Sequence, residues 1–233
     1  MTNVLGVTLA RGGSKGITKK NLAMVGGKPL IQHTFDIIPH INFLNDYIVS
    51  SDCDEIIDYS KSQNILVPFK RPSYLATDKA TSLDALVHAT LFMEDLRGIR
   101  YDCVVELMCT NPFKTADHVN GAIEKLVKTG ADSVIGVSQV EEYHPARLKK
   151  IVDDKIIDFC VPELSSRRQD LRPFAYIRNG SIYAINRDKL VEEGHRFGGN
   201  NSRPLLMSAR CNINIDSELD LALADIIFQQ SLV

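Results

Sequence analysis

Short apolar runs alternate with longer stretches of helical spacing along most of this chain. Val4–Leu9 is almost wholly apolar and predicts a strand. Pro29–Ile38 predicts a helix with proline at its start. Asp46–Ser51 predicts a second strand, Cys53–Ser62 a helix, and Ile65–Phe69 a short strand. Over Thr81–Leu96, residues Leu83, Leu86, Val87, Thr90, Leu91 and Met93 recur at the period of a helix. Tyr101–Met108 is the near-continuous apolar run of a strand buried on both faces. Thr115–Lys128 predicts a helix and Ser133–Val137 a strand. Ser181–Ile185 predicts another strand, then a helix follows, then a strand at Leu205–Ser208, and Ser217–Gln229 predicts the last helix. This repeated order predicts an α/β fold, a mostly parallel sheet flanked by helices on both faces.

The alternation breaks between about residues 141 and 176. Pro145, Pro162 and Pro173 interrupt it, Ile151–Phe159 predicts a hairpin turning at Asp153-Asp154, and Arg167, Arg168 and Arg172 cluster there. The stretch reads as an insertion over the sheet's edge within a single domain spanning 1–233, and as a place for a partner subunit to dock.

Composition narrows the class. The 233 residues suffice for one sizeable α/β domain, and 44% hydrophobic with 24% charged residues is ordinary for a globular protein. A net charge of −2 leaves no domain-wide basic surface, so nucleic acid is not an expected partner and any positive site must be local. No apolar run approaches the ~20 residues of a membrane span. Met1-Thr2-Asn3 leads straight into the first strand, so no signal peptide is expected. Cys53, Cys103, Cys109, Cys160 and Cys211 form no Cys-x-x-Cys pair, which points to reduced thiols in a cytoplasmic protein rather than to zinc or disulfides.

Candidate chemistry begins where the first strand ends. Ala10-Arg11-Gly12-Gly13-Ser14-Lys15-Gly16 follows it at once, with Lys19, Lys20 and Asn21 behind. Open α/β sheets bind ligands at the carboxyl ends of their strands. Arg11, Lys15, Lys19 and Lys20 concentrate positive charge there, as a triphosphate requires. The P-loop pattern fails, because Gly26-Gly27-Lys28 is followed by Pro29 and not by a hydroxyl. The dinucleotide pattern G-x-G-x-x-G fails too, because Ser14 and Ile17 stand where its second and third glycines belong. The six histidines lack the paired helical spacing of a zinc enzyme.

Ala10–Asn21, followed by Gly26-Gly27-Lys28-Pro29-Leu30-Ile31, resembles the opening of the acylneuraminate cytidylyltransferases, the CMP-sialic acid synthetases and their relatives for other nine-carbon 2-keto sugar acids. The resemblance continues through Val49-Ser50-Ser51-Asp52, Arg71-Pro72, Leu75-Ala76-Thr77-Asp78 and Thr110-Asn111-Pro112-Phe113-Lys114-Thr115. It ends with Arg178-Asn179-Gly180-Ser181-Ile182-Tyr183 and Asn214-Ile215-Asp216-Ser217-Glu218-Leu219-Asp220-Leu221, so it covers nearly the whole chain in order. It implies a Rossmann-like nucleotidyltransferase fold, a dimer joined through the insertion, and a Mg²⁺-dependent reaction in which CTP and a 2-keto sugar acid give the CMP-sugar and pyrophosphate. Two alternatives stay open: a nucleotidyltransferase for another sugar or nucleotide, and a non-catalytic nucleotide-binding paralogue.

Attack on the α-phosphorus builds negative charge on phosphate oxygens, which catalysis meets by positioning and electrostatics. By resemblance, Arg11 and Lys20 are the catalytic cations. Ala10, Gly12, Gly13, Ser14, Asn21, Arg71 and Ser82 join them around the nucleotide, and Lys15 either does the same or faces solvent. Thr81 reads as a helix cap, as do Ser217, Glu218 and Asp220 for the last helix. Asp216 is the candidate metal ligand and helper in deprotonating the attacking hydroxyl, since Mg²⁺ prefers oxygen. The typical family members carry Asp-x-Asp here, whereas this chain has Asn214 first, which coordinates only through its carbonyl oxygen. Met108 stands where sialate enzymes place a glutamine that touches the sugar, so a less polar or acylated acid of the legionaminic or pseudaminic type fits better. Thr110, Asn111, Arg147, Arg168, Asn179 and Tyr183 complete the substrate-binding candidates, Tyr183 reading equally as a strand core residue.

Overall fold

The computed structural model describes residues 2–14, 16–163, 165 and 167–230. Strand β1 (Val4–Leu9) leads into the glycine-rich loop. Two short strands, β2 (Met24–Val25) and β3 (Lys28–Pro29), then form a hairpin whose turn is Gly26 and Gly27, at φ of 56° and 80°. That left-handed turn favours glycine. It also corrects the expected helix at Pro29–Ile38. The hairpin takes Pro29 as a strand residue, so α1 is confined to Gln32–Phe35 and a 3-10 turn covers Ile38–His40.

Further along come β4 (Asp46–Ser50) and α2 (Asp54–Ser62). The short strand expected at Ile65–Phe69 is reduced to two isolated parallel bridges, Ile48 with Leu66 and Ser51 with Lys70. Helix α3 (Ser82–Arg97) starts at a capping box: the Asp84 N–H donates to Thr81 Oγ1 at 3.1 Å and the Thr81 N–H to Asp84 Oδ2 at 3.3 Å. It stops at Gly98, whose φ of 64° ends it in the left-handed region. Strand β5 (Cys103–Leu107) and α4 (Ala116–Thr129) follow, α4 with the same kind of cap at Thr115. Next are β6 (Ser133–Val140), the hairpin of β7 (Lys149–Val152) and β8 (Lys155–Asp158), then β9 (Ala175–Asn186) and α5 (Arg187–Val191). The hairpin turns at Asp153 and Asp154, as the sequence predicts, both with positive φ. Strand β10 (Ser202–Leu206) lies a little before its expected position, and α6 (Glu218–Gln230) closes the order.

The six-stranded sheet runs β10-β6-β9-β5-β1-β4. Strands β4, β1 and β5 are mutually parallel, β10 is parallel to β6, and β9 runs antiparallel between β5 and β6. Alternate residues face opposite layers. Cys103, Val105 and Leu107 pack with Val119, Ile123 and Leu126 of α4, whereas Val104 packs with Leu86, Ala89 and Met93 of α3. Glu106 and its cross-strand partner Tyr183 therefore lie on the α3 side of the sheet. Because β1 has β4 on one side and β5 on the other, the chain switches direction there. The crevice at their carboxyl ends is the expected ligand site of an open α/β sheet.

Candidate active site

A cleft of about 540 Å³ opens at that crevice, its walls formed by the loop after β1, the start of α3 and the loop after β5. The glycines of the first loop have steric causes. A Cβ on Gly12 would come within 2.8 Å of the Cys53 Cβ, and one on Gly16 within 2.2 Å of the Asp216 carbonyl oxygen. The loop is thus pressed against the start of α2 on one side and the Asn214–Asp216 segment on the other. The Gly12 N–H donates to Asp52 Oδ1 at 3.0 Å, Gly13 is exposed, and Ser14 reaches the cleft wall.

Two of its cations are already paired. Lys20 Nζ donates to Asp216 Oδ1 at 2.6 Å, and Arg11 Nη1 to Asp78 Oδ1 at 3.1 Å. All four side chains line the cleft. Asn21 is buried beneath them: its Nδ2 donates to the Arg11 carbonyl at 3.0 Å, and its Oδ1 accepts from the Cys109 thiol at 3.0 Å. The amide therefore fixes the loop's course. Arg71 is buried, donating from Nε to Ser50 Oγ at 3.0 Å and from Nη2 to the Ser50 carbonyl. Burial lowers its pKa, although the nearby Asp52 pushes the other way.

Asp216 sits where α6 begins. Asp220 Oδ2 accepts the Asp216 N–H at 3.1 Å and the Ser217 N–H at 2.8 Å. Burial would raise the Asp220 carboxyl, but the Ser217 hydroxyl and these N–H groups hold it below its ordinary value. The expected capping role of Ser217 and Asp220 is what the structure shows. Asn214 Nδ2 donates to Asp216 Oδ2, while Asn214 Oδ1 is buried with no hydrogen-bond partner. Asn214 turns its Nδ2 to the carboxylate and its Oδ1 towards Gly180, so the two residues offer a hard, oxygen-seeking cation a pair of oxygens only with the amide turned over. Among the described residues no group of three or more His, Cys, Asp or Glu gathers for a metal, so such a cation would need ligands from elsewhere, phosphate oxygens above all.

On the far wall, Ser82 and Thr81 meet Met108, Cys109 and Thr110. Lys114 anchors that last loop. It is buried, and Nζ donates at 2.8 Å to each of the Met108 carbonyl, the Asn111 carbonyl and Thr34 Oγ1, with burial lowering its pKa to about 7. The floor is Glu106, fully buried yet lining the cleft. Arg196 grips it from Nε and Nη2, both at 2.8 Å. Burial raises the Glu106 carboxyl, with Arg196 opposing.

Of the residues expected from sequence, Arg11, Ser14, Lys20, Asn21, Arg71, Ser82, Met108, Thr110 and Asp216 are brought together around this one cleft. Others are not among its lining. Ala10 is buried, its N–H donating to the Ser50 carbonyl at 3.0 Å. Asn111 spends its amide on the carbonyls of Asn179 and Cys211, at 2.9 and 2.6 Å, and so ties three segments together. Asn179 is buried against Ser138 and Met207, and Tyr183 against Phe197. Arg147 pairs with Glu142 and Glu163, and Arg168 with Glu141 and Glu142, all on the stretch that carries the β7–β8 hairpin. Lys15 lies outside the described residues. Sequence reasoning missed Glu106, Cys109 and Arg196. Glu106 had a signal: a lone carboxylate in a strand buried on both faces demands a partner.

Comparison with known proteins identifies the family. The Cytidylyltransferase family model matches residues 5–193. A CMP-N,N′-diacetyllegionaminic acid synthase of Legionella pneumophila is 30% identical over 95% of this chain and 94% of its own length. The post-translational flagellin modification protein B of Campylobacter coli is 24% identical over 99% of this chain and 97% of its own length. An N-acylneuraminate cytidylyltransferase of Streptococcus agalactiae is 32% identical over 81% of this chain, which spans only 44% of that relative. In fold, the chain resembles a CMP-2-keto-3-deoxy-manno-octonic acid synthetase solved with CTP, at a TM-score of 0.72 and 16% identity over 99% of this chain and 100% of the other. The chain belongs to the cytidylyltransferase family.

Proposed function

We propose that this protein joins CTP to a nine-carbon 2-keto sugar acid, of the sialic, legionaminic or pseudaminic type, releasing pyrophosphate. The observation that carries the reading is the cleft, where Arg11 and Lys20 stand paired with Asp78 and Asp216 at the carboxyl ends of β1 and β5. The anomeric hydroxyl attacks the α-phosphorus, a new oxygen–phosphorus bond forms, the bond to the bridging oxygen breaks, and the hydroxyl proton passes to the Asp216 carboxylate. Lys20 and Arg11 exchange Asp216 and Asp78 for phosphate oxygens and hold the developing charge. Arg71, Ser14 and Ser82 line the nucleotide's side. Mg²⁺ would be held by Asp216 and, with its amide turned over, by the Asn214 carbonyl oxygen, and when bound it neutralises phosphate charge.

The stretch of about residues 141–176 supports a homodimer reading within a single-domain chain. Ile151, Ile156, Phe159 and Phe174 are all exposed there, more apolar surface than a monomer's insertion ordinarily leaves in water. In the dimer, Arg147 and Arg168 would approach the neighbouring site. No helix among the described residues is long and apolar enough to cross a membrane, and the free cysteines fit a cytoplasmic enzyme.

Pyrophosphate release with CTP, Mg²⁺ and a panel of 2-keto sugar acids tests the assignment. Turnover with CTP and at least one nonulosonic acid is expected. Turnover only with ATP, GTP or UTP sinks the cytidylyl reading, and CTP binding without turnover of any acid favours a nucleotide-binding paralogue.

A further inference from the structure

The Glu106–Arg196 pair has no role in the chemistry described above, and stability does not account for it. Burying a carboxylate is costly, and replacing a buried ion pair by apolar residues of similar size is often neutral or stabilising. The pair sits at a junction. Glu106 lines the main cleft, whereas Arg196 lines a second cavity of about 400 Å³ beside it, and Thr81 and Ser82 belong to both. Phe197 and Leu83 give that second cavity apolar wall.

The guanidinium is held in one orientation. Besides its two bonds to Glu106, it lies 5.2 Å from the ring centre of Tyr183 and 5.0 Å from that of Phe197, and Nη2 is 3.6 Å from Met108 Sδ. Nε and Nη2 make these bonds, and Nη1 takes no part in them. A paired guanidinium carries little net charge to offer a substrate carboxylate. It remains a rigid donor suited to an uncharged acceptor.

We propose that Arg196, positioned by Glu106, determines specificity for the sugar acid by donating to the amide carbonyl of an acylamino substituent, with the apolar wall of Phe197 and Leu83 receiving the acyl methyl. This rests on the nonulosonic acid reading given above. Met108 then acts as an apolar spacer at the partition between the two cavities, in place of a polar group that would compete for the same donor.

The test compares acylated acids, N-acetylneuraminic acid and N,N′-diacetyllegionaminic acid, with the nonulosonic acid bearing hydroxyls in place of acylamino groups. The measured quantity is the ratio of kcat/KM between the two kinds. The wild-type protein is expected to favour an acylated acid. In Arg196→Lys, which keeps a charge for Glu106 but loses the fixed fork, the ratio should fall about 10- to 100-fold, the worth of one well-placed hydrogen bond. The double variant Glu106→Gln/Arg196→Met leaves no buried charge unpaired and should show the same fall, with thermal melting as the check on folding. A purely structural pair would lower turnover of both kinds of acid alike, leaving the ratio unchanged in both variants and overturning the proposal. Equal wild-type use of acylated and hydroxylated acids overturns it too, with the cytidylyl reading intact. Wild-type turnover of neither kind, while CTP binds, overturns the functional reading and this proposal with it.

Discussion

The two halves of the site use charge in opposite ways. At the phosphate loop, Lys20 and Arg11 are paired with Asp216 and Asp78, carboxylates whose side chains are 66% and 57% exposed. Below Met108, Arg196 is paired with Glu106, whose side chain is 1% exposed. An exposed carboxylate is readily exchanged for another anion even where its cation is as sheltered as Lys20, at 14% exposed, whereas a buried carboxylate that loses its partner is left an uncompensated charge. The first arrangement suits cations that must let go of their carboxylates when a triphosphate arrives. The second suits a group that must not move. One half is arranged to be displaced, the other to hold still.

That contrast breaks most sharply at Asp216, the carboxylate that both restrains Lys20 and faces Asn214. Asp216→Ala should free Lys20 and strengthen its attraction for phosphate, yet remove the oxygen proposed to take the proton and to hold Mg²⁺. Turnover is expected to fall on the order of 1000-fold, since charge stabilisation and proton transfer are both lost. CTP binding, read by titration calorimetry without metal, should hold or tighten. Near-normal turnover would assign Asp216 to restraint alone and remove it from the chemistry.

Gly16 is the joint between loop and carboxylate. Its α-carbon lies so close to the Asp216 carbonyl that a methyl group would stand 2.2 Å from that oxygen. In Gly16→Ala one backbone segment must shift, carrying either the loop or Asp216 with it. A displacement of about 1 Å costs on the order of 100-fold in rate when the shifted group belongs to the reacting constellation. A steady-state assay should show that loss mainly in kcat with CTP saturating, and unchanged kcat would mean that loop and carboxylate move independently.

How far the sequence exposed this site depended on the range of the interaction. The phosphate loop was legible because strand, glycines and cations are contiguous from Val4 to Asn21. The helix caps at Thr81 and Ser217 were equally local. Pro29 misled, because the proline that usually opens a helix was claimed by a hairpin whose turn, Gly26-Gly27, stood two residues before it. Asn111 resembled a polar contact for substrate, but its amide closes the carbonyls of Asn179 and Cys211, a use fixed only by tertiary packing. Glu106 advertised a missing partner without naming it. The partner lies 90 residues away, on the segment after α5 that carries no pattern of its own.

The smallest effect belongs to the weakest restraint, the Arg11–Asp78 pair, at 3.1 Å between half-exposed side chains. Such a pair contributes up to about 1 kcal/mol, so its removal should change affinity by no more than about fivefold. Asp78→Asn keeps the side chain's size and much of its hydrogen bonding while removing the charge that competes with phosphate for Arg11. The KM for CTP is therefore expected to fall about two- to fivefold, with kcat nearly unchanged, and the gain should shrink as salt is raised, because exposed charges are screened. Titration of CTP at two ionic strengths reads both effects. A KM that rises instead would mean that Asp78 holds Arg11 in its productive position, making this pair, like Glu106–Arg196, an orienting device.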